Sequence, residues 1–180
     1  MKLAVPSHLP YPLWKRGNPT GHQFQSLHGS ALARLGHTLT GEGCHAEAIE
    51  AFSQALSLKP NSRSIREWRA ACYLQLGDYE KALADMEDVV TIDPSYASGY
   101  NNRGLCYLLK GRIGKALEDL SKAIELDPKH VRAYANKAVI YCALGRYYQA
   151  ERACKAGLML DAADEELLCV QRKIQENSRN

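Results

Sequence analysis

A glycine returns every 34 residues along this chain, at Gly43, Gly77, Gly111 and Gly145. An alanine follows each glycine five residues later, and a proline keeps the same period at three places out of four. The alanines are Ala48, Ala82, Ala116 and Ala150, and the prolines are Pro60, Pro94 and Pro128, with Ala162 in the fourth place. Three residue types that share one period predict a stacked array of small units, each packed mainly on its neighbours.

The third unit shows the pattern within one period most clearly. Apolar and small residues recur at helical spacing from about 97 to 110, and Gly111 then ends the first helix. A second apolar stripe runs from Ile113 to Ile124 and stops before Pro128, because proline does not continue a helix. Each unit is therefore predicted to be a helix, a tight turn and a second helix.

These residues resemble a tetratricopeptide repeat. The residues that carry the resemblance in the third unit are Tyr100, Gly104, Tyr107, Ala116, Leu120, Ala123 and Pro128. The other three units resemble the same repeat, although the second has Arg66 at an early aromatic position. The fourth departs at Cys154, Gly157 and Ala162, which predicts a looser end of the array.

The resemblance implies an all-α, right-handed α-solenoid of four helix-turn-helix units and a capping helix. By period the units span 29–62, 63–96, 97–130 and 131–163, and the cap spans 164–177, with Leu167, Val170 and Ile174 as its apolar stripe. Residues 1–28 contain four of the seven prolines and show no helical period, so they are predicted to be an irregular, disordered arm. A short docking motif at 11–14 is the alternative.

Small residues recur where the two helices of each unit should meet. The first helices carry Gly36, Ala70, Gly104 and Ala138, and the second helices carry the four periodic alanines. We expect the two helices of each unit to approach closely at these positions, so that a bulky replacement would overpack the contact.

Composition excludes several classes of function. The net charge of +3 is too small to indicate a nucleic-acid or anionic-membrane partner, and no apolar run reaches the length of a membrane span.

The six cysteines form no CxxC pair, so we expect reduced, buried thiols and neither a metal site nor a cofactor. The chain shows no signal-peptide pattern, so a cytoplasmic protein is expected, with nuclear or ciliary locations also open.

No catalytic motif is present in the sequence. The Gly-Lys pair at 114–115 follows Gly111 too closely for a phosphate-binding loop, and Ala116 stands where that loop needs a hydroxyl. The histidines show no metal-ligand spacing, and the repeats occupy nearly the whole chain. The protein is therefore predicted not to be an enzyme.

The family's geometry implies that the first helices line a concave groove. One position facing this groove recurs as Arg34, Trp68, Asn102 and Asn136, and the two asparagines resemble the peptide-binding ladder of O-linked N-acetylglucosamine transferases. Trp68 is either an anchor for a ligand or a packing residue between units. The predicted groove residues are Arg34, Trp68, Asn101, Asn102, Leu109, Arg132 and Asn136, with His37, Glu67, Leu105 and Val139 as further candidates.

Some arrays of this family clamp the terminal carboxylate of a chaperone peptide. At the corresponding positions of this chain Asn102 matches and Arg132 is a fair substitute for lysine, but Glu67 replaces a lysine, Ala71 an asparagine and Asn136 an arginine. A glutamate would repel a carboxylate, so chaperone-tail binding is not expected.

The function predicted from the sequence is a non-catalytic protein–protein interaction scaffold that holds an extended peptide or a partner helix in its groove. Two alternatives remain open at this stage. The chain could be a recruiting or regulatory segment of a larger enzyme or complex, or it could be an array that self-associates through weakly capped ends.

Overall fold

The computed structural model describes residues 21–177, and every element in that range is a helix. The helices are α1 (Gly21–Gly41), α2 (His45–Leu58), α3 (Arg63–Gln75), α4 (Tyr79–Ile92), α5 (Ala97–Leu109), α6 (Ile113–Leu126), α7 (Val131–Ala143), α8 (Tyr147–Leu158) and α9 (Glu165–Asn177). Consecutive helices pack most extensively as the pairs α1/α2, α3/α4, α5/α6 and α7/α8, and each pair packs on the next. The described chain is an all-α helical repeat solenoid, and none of its helices is both long and apolar enough to cross a membrane.

The periodic glycines end the first helix of each pair. Gly43, Gly77, Gly111 and Gly145 have φ values of 79°, 76°, 70° and 69°, in the left-handed region that side chains with a β-carbon rarely adopt. At the third turn the Gly111 N–H donates to the Leu108 carbonyl, and the Arg112 N–H donates to the Tyr107 carbonyl, both at 2.8 Å. This pair of bonds is a Schellman motif, and it confirms that the period marks helix ends.

The small residues bring the paired helices into close contact, as predicted. All eight positions are buried, and the four alanines of the second helices have no exposed surface. A β-carbon placed on Gly36 would lie 2.6 Å from the Phe52 ring. One placed on Gly104 would lie 3.2 Å from the Ala116 carbonyl oxygen, a backbone atom that cannot turn aside. These contacts fix the distance between the helices of a unit.

Helix α1 begins at Gly21, eight residues before the helical period that the sequence indicates. The segment 21–28 therefore belongs to a helix and not to an irregular arm. Gly29 follows this segment within α1, where it is buried and where a β-carbon would lie 3.2 Å from Lys59 Cγ. Glycine has a low helix propensity, but without a side chain it allows α1 to pass close to the end of α2. The alternative docking motif at 11–14 lies outside the described residues.

The C-terminal end is closely packed, so the predicted looser end of the array is wrong. Helix α9 packs on α7 and α8, and its Leu167 side chain is fully buried. A β-carbon on Gly157 would lie 2.5 Å from Leu167 Cδ1, and the Cys154 thiol donates to the Leu167 carbonyl at 3.2 Å. These departures from the family pattern make room for α9, although α8 has 12 residues where the other second helices have 14.

The six cysteines are all free thiols with different exposure. Cys72, Cys106 and Cys154 are buried, Cys44 and Cys142 are half-buried, and Cys169 is exposed on α9. Burial raises the pKa of Cys106 to about 11, because the thiolate loses its hydration there. The expectation of buried thiols therefore holds for three of the six.

We expect Cys169 to be alkylated first when the native protein meets iodoacetamide at about pH 8, because it is the exposed thiol. Cys106 should react only after unfolding, since it is buried and its raised pKa keeps it protonated. Peptide mass spectrometry at timed intervals measures the order. Labelling of Cys106 as fast as Cys169 in the folded protein would contradict the packing described here.

We expect Gly104→Leu to destabilise the array by about 1–3 kcal/mol, because the side chain has no room against the Ala116 carbonyl. For a chain of this length that corresponds to roughly 2–4 °C in melting temperature for each kcal/mol. Gly114→Leu is the matched control, since nothing lies within 4 Å of a β-carbon there. Equal melting curves for the two variants, followed by circular dichroism, would refute the close contact.

Candidate functional site

The first helices of the pairs form the inner surface of the solenoid. Helix α1 touches α3, and α5 touches α7, whereas the even-numbered helices show no comparable contacts with one another. Side chains also join the odd-numbered helices directly, from His37 to Trp68 and from Asn101 to Asn136. Elements on the inner side of a curved stack lie closer together than those on the outer side, so the odd-numbered helices line a concave groove.

A recess of about 510 Å³ opens at the N-terminal end of this groove, between α1 and α3. Its lining includes Arg34, His37, Lys59, Ser64 and Trp68, and no carboxylate is among the lining residues. The Lys59 ammonium donates to the Ser30 hydroxyl at 2.5 Å, so the lysine reaches in from the end of α2. Two cations, several hydroxyls and an aromatic ring give this recess the chemistry to hold an acidic or aromatic side chain.

Trp68 packs between the first two units and keeps part of its ring open to solvent. Its ring lies 6.0 Å from the buried Phe52 ring, so it packs between the first two units. It also meets the His37 ring edge-on at 5.5 Å and remains 39% exposed within the recess. A ring that packs against two neighbouring rings and remains partly exposed is suited to be a rigid contact for a ligand.

The asparagines form a hydrogen-bonded row across three helices. The Asn136 amide on α7 donates to the Asn101 carbonyl oxygen on α5 at 2.9 Å, and the Asn101 amide donates to the Asn102 oxygen at 3.1 Å. The Asn102 amide donates in turn to Glu67 on α3 at 3.4 Å. Asn101 is only 2% exposed, so it lies beneath the groove surface and holds its neighbours in place.

Glu67 ends this row and determines the charge in the middle of the groove. Partial burial raises the pKa of its carboxyl group, because the charged form is poorly hydrated there. The Tyr96 hydroxyl, the Arg63 charge and the Asn102 amide oppose that rise by favouring the carboxylate. The middle of the groove therefore presents an acidic group beside the Asn102 amide and the Arg63 charge, whereas no acidic group lines the neighbouring recess.

The remaining predicted groove residues lie further along the odd-numbered helices. Leu109 ends α5 with 44% of its surface exposed, and Arg132 is an exposed residue in the first turn of α7. Leu105 and Val139 are half-buried. The structure thus groups Arg34 with Trp68 in the recess and Asn102 with Asn136 in the row, while Leu109 and Arg132 join neither set.

Several contributors to the groove are not indicated by the sequence, Lys59 and Tyr96 among them. Lys59 follows α2, and the family pattern indicates groove residues on first helices only. Tyr96 was overlooked because it precedes α5, although its hydroxyl bonds to Glu67 and its ring lies 3.7 Å below the Arg63 guanidinium carbon. Within the described residues no cluster of side chains is suited to hold a metal ion.

Family models for the tetratricopeptide repeat match three stretches of the chain. The stretches are residues 33–97, 97–130 and 120–152, which together cover two thirds of the sequence. No curated relative matches the chain. The three matching family models confirm the resemblance to the tetratricopeptide repeat.

Solved structures with the same architecture come from distant proteins. A tetratricopeptide repeat protein from Parabacteroides merdae is 28% identical with a TM-score of 0.73, over 85% of this chain and 61% of that one. A thermophilic repeat protein from Thermus thermophilus is 25% identical with a TM-score of 0.71, over 84% of both chains. The first repeat domain of Spaghetti, solved with the HSP90 peptide SRMEEVD, is 24% identical with a TM-score of 0.62, over 67% of this chain and 95% of that one.

We expect Asn101→Ala to lower the free energy of unfolding by about 1–3 kcal/mol, because it removes a buried amide that bonds to both Asn102 and Asn136. Arg132→Ala should change stability by less than about 0.5 kcal/mol, since Arg132 is exposed. Urea unfolding of both variants measures the difference. Equal stabilities would show that the row of amides does not support the groove.

Proposed function

Since the chain belongs to the tetratricopeptide-repeat family, we propose that it is a scaffold for protein–protein interaction whose concave groove binds an extended peptide or a partner helix. Arrays with this fold are typically non-catalytic, and we propose that this chain is also non-catalytic. The cytoplasm is the location proposed for it.

The observation that carries the proposal is the recess around Trp68. An aromatic ring fixed by Phe52 and His37, yet open to solvent, gives a ligand an apolar contact without the cost of ordering the ring. Arg34 and Lys59 beside it favour an acidic residue of the ligand next to its apolar one. Aromatic and arginine side chains in such recesses commonly contribute most of the binding energy.

The asparagine row supports the choice of an extended peptide. Asn136 uses its amide toward Asn101, which leaves its carbonyl oxygen to accept a bond from the main chain of a ligand. Asn102 is held from both sides, by Asn101 and by Glu67. Amides fixed in this way can bond to a peptide backbone without selecting its side chains, so we assign sequence preference to the recess.

Glu67 argues against a terminal carboxylate at the middle of the groove. The Spaghetti domain was solved with an HSP90 peptide that ends in an aspartate. In this chain such an end would meet the carboxyl group of Glu67 where that mode of binding needs a cation. We therefore propose a ligand that passes the Asn102 position as an internal, uncharged segment.

Self-association is a second candidate because the first helix has an open apolar face. Leu27 and Leu35 lie two turns apart on α1 and are 64% and 50% exposed. At the corresponding place in the second unit, Arg69 packs against the preceding unit through the Ser53 hydroxyl. Light scattering over a range of concentrations tests this candidate. If it is correct, Leu35→Glu should cause the oligomer to dissociate and leave peptide binding intact.

The proposed groove is tested with the triple variant Trp68→Ala, Asn102→Ala, Asn136→Ala. We expect partner proteins captured from extract by the wild type to fall by about tenfold or more, because the anchor and both amides are lost. The matched control is Gln54→Ala, Glu118→Ala, Tyr148→Ala, three exposed residues on the even-numbered helices. Circular dichroism checks that both variants fold, and equal capture by the two folded variants would refute binding in the groove.

A further inference from the structure

A cation recurs on the first helix of the second, third and fourth units, as Arg69, Arg103 and Lys137. In the second unit Arg69 binds Asp85 through two bonds, Nη2–Oδ1 at 2.6 Å and Nε–Oδ2 at 2.9 Å. In the third unit Arg103 binds Asp119 in the same way, at 2.7 and 2.8 Å. Both carboxylates are buried, so each of these units encloses an ion pair between its two helices.

The fourth unit keeps the cation and lacks the carboxylate. Ala153 stands 34 residues after Asp119, where the period requires the acid. Lys137 donates to the Ser121 hydroxyl at 2.8 Å and forms no ion pair with any described residue. Burial lowers the pKa of Lys137, because nothing beside it compensates the loss of hydration of the ammonium group.

The missing aspartate leaves an open recess of about 320 Å³ beside Lys137. Its wall includes Arg152, Gln149, Tyr134 and Tyr141, and none of its lining residues is acidic. The tyrosine pair corresponds by period to Tyr100 and Tyr107, whose rings lie 5.3 and 5.9 Å from the Arg103 guanidinium carbon. The aromatic surroundings of the ion pair are therefore repeated in the fourth unit, where the aspartate is missing.

We propose that this recess binds an acidic side chain of a partner protein, whose carboxylate takes the place that Asp85 and Asp119 occupy in the preceding units. Lys137 and Arg152 supply opposite charge, and Gln149 offers an amide donor. The tyrosine rings supply apolar surface for the methylene groups of a glutamate or aspartate. The recess lies between α6, α7 and α8 and shares no lining residue with the Trp68 recess, so it is a second contact site on the scaffold.

A carboxylate from a partner is favoured over a phosphate by the chain's own structure. The same framework already holds a carboxylate twice, each time in two parallel bonds within 3 Å. The place that holds these carboxylates has the size of a carboxylate, and the Lys137 ammonium meets a carboxylate there as a single charge whose attraction is strengthened by partial burial.

The decisive variant is Ala153→Asp, which restores the acid within the chain. The second and third units already accommodate an aspartate at this place in the period, so the variant should fold, and its new ion pair should raise the melting temperature. It should also fill the recess and block an external carboxylate. Lys137→Gln is the companion variant, because it removes the cation without filling the space. Arg146→Gln is the matched control, since it removes an exposed charge outside the recess.

Binding is measured by NMR titration of the labelled protein at constant ionic strength with three blocked tripeptides, Gly-Glu-Gly, Gly-Gln-Gly and Gly-phosphoserine-Gly. We expect Gly-Glu-Gly to shift the amide signals of 134–141 and 149–153, with affinity reduced about tenfold or more in Ala153→Asp and Lys137→Gln and unchanged in Arg146→Gln. The proposal is overturned if Gly-Glu-Gly shifts nothing, if the glutamine peptide acts equally, or if Ala153→Asp binds like the wild type. Binding of the phosphoserine peptide about tenfold tighter would also overturn it, because the ligand would then be a phosphate.

Discussion

The whole array depends on the close contact between the two helices of each unit. Gly36 lies against the Phe52 ring, and Gly104 lies against the backbone oxygen of Ala116, a residue without exposed surface. The contact at Gly104 cannot relax by a change of rotamer, because the facing atom belongs to the backbone. It fixes the distance within each pair, the glycine turn fixes the direction of the second helix, and repetition of both gives the curved stack whose inner side is the groove.

Function on such a scaffold lies where the period holds and the residue type changes. The position occupied by Trp68 and Asn102 carries different side chains in successive units, and these contribute to a cationic, aromatic recess and to a row of amides. The next position carries a cation in the second, third and fourth units, and the fourth unit lacks its aspartate partner because Ala153 stands in that place. Both sites therefore lie at positions where one unit differs in side chain from the other units of the same chain.

The sequence predicts the elements that depend on local rules. Helix ends at Gly43, Gly77, Gly111 and Gly145 follow from the conformational freedom of glycine, and the small positions follow from the period. The burial of Asn101 and the tight fit of Gly157 under Leu167 depend on helices that are distant in sequence. Neither could be predicted, because a single residue in a pattern does not reveal which neighbour from another unit covers it. Lys59 could not be predicted for the same reason, because it enters the groove from the end of a second helix.

The central claim is that the odd-numbered helices form the surface to which partners bind, and site-specific photo-crosslinking tests it most directly. A benzoylphenylalanine is placed at Arg34 or Leu109 on the groove side, and at Gln54 or Tyr148 on the even-numbered helices, all exposed positions. The account predicts that partner proteins become crosslinked from Arg34 and Leu109 and escape crosslinking from Gln54 and Tyr148. Crosslinks formed mainly from Gln54 and Tyr148 would contradict it and place the partner on the outer face of the array.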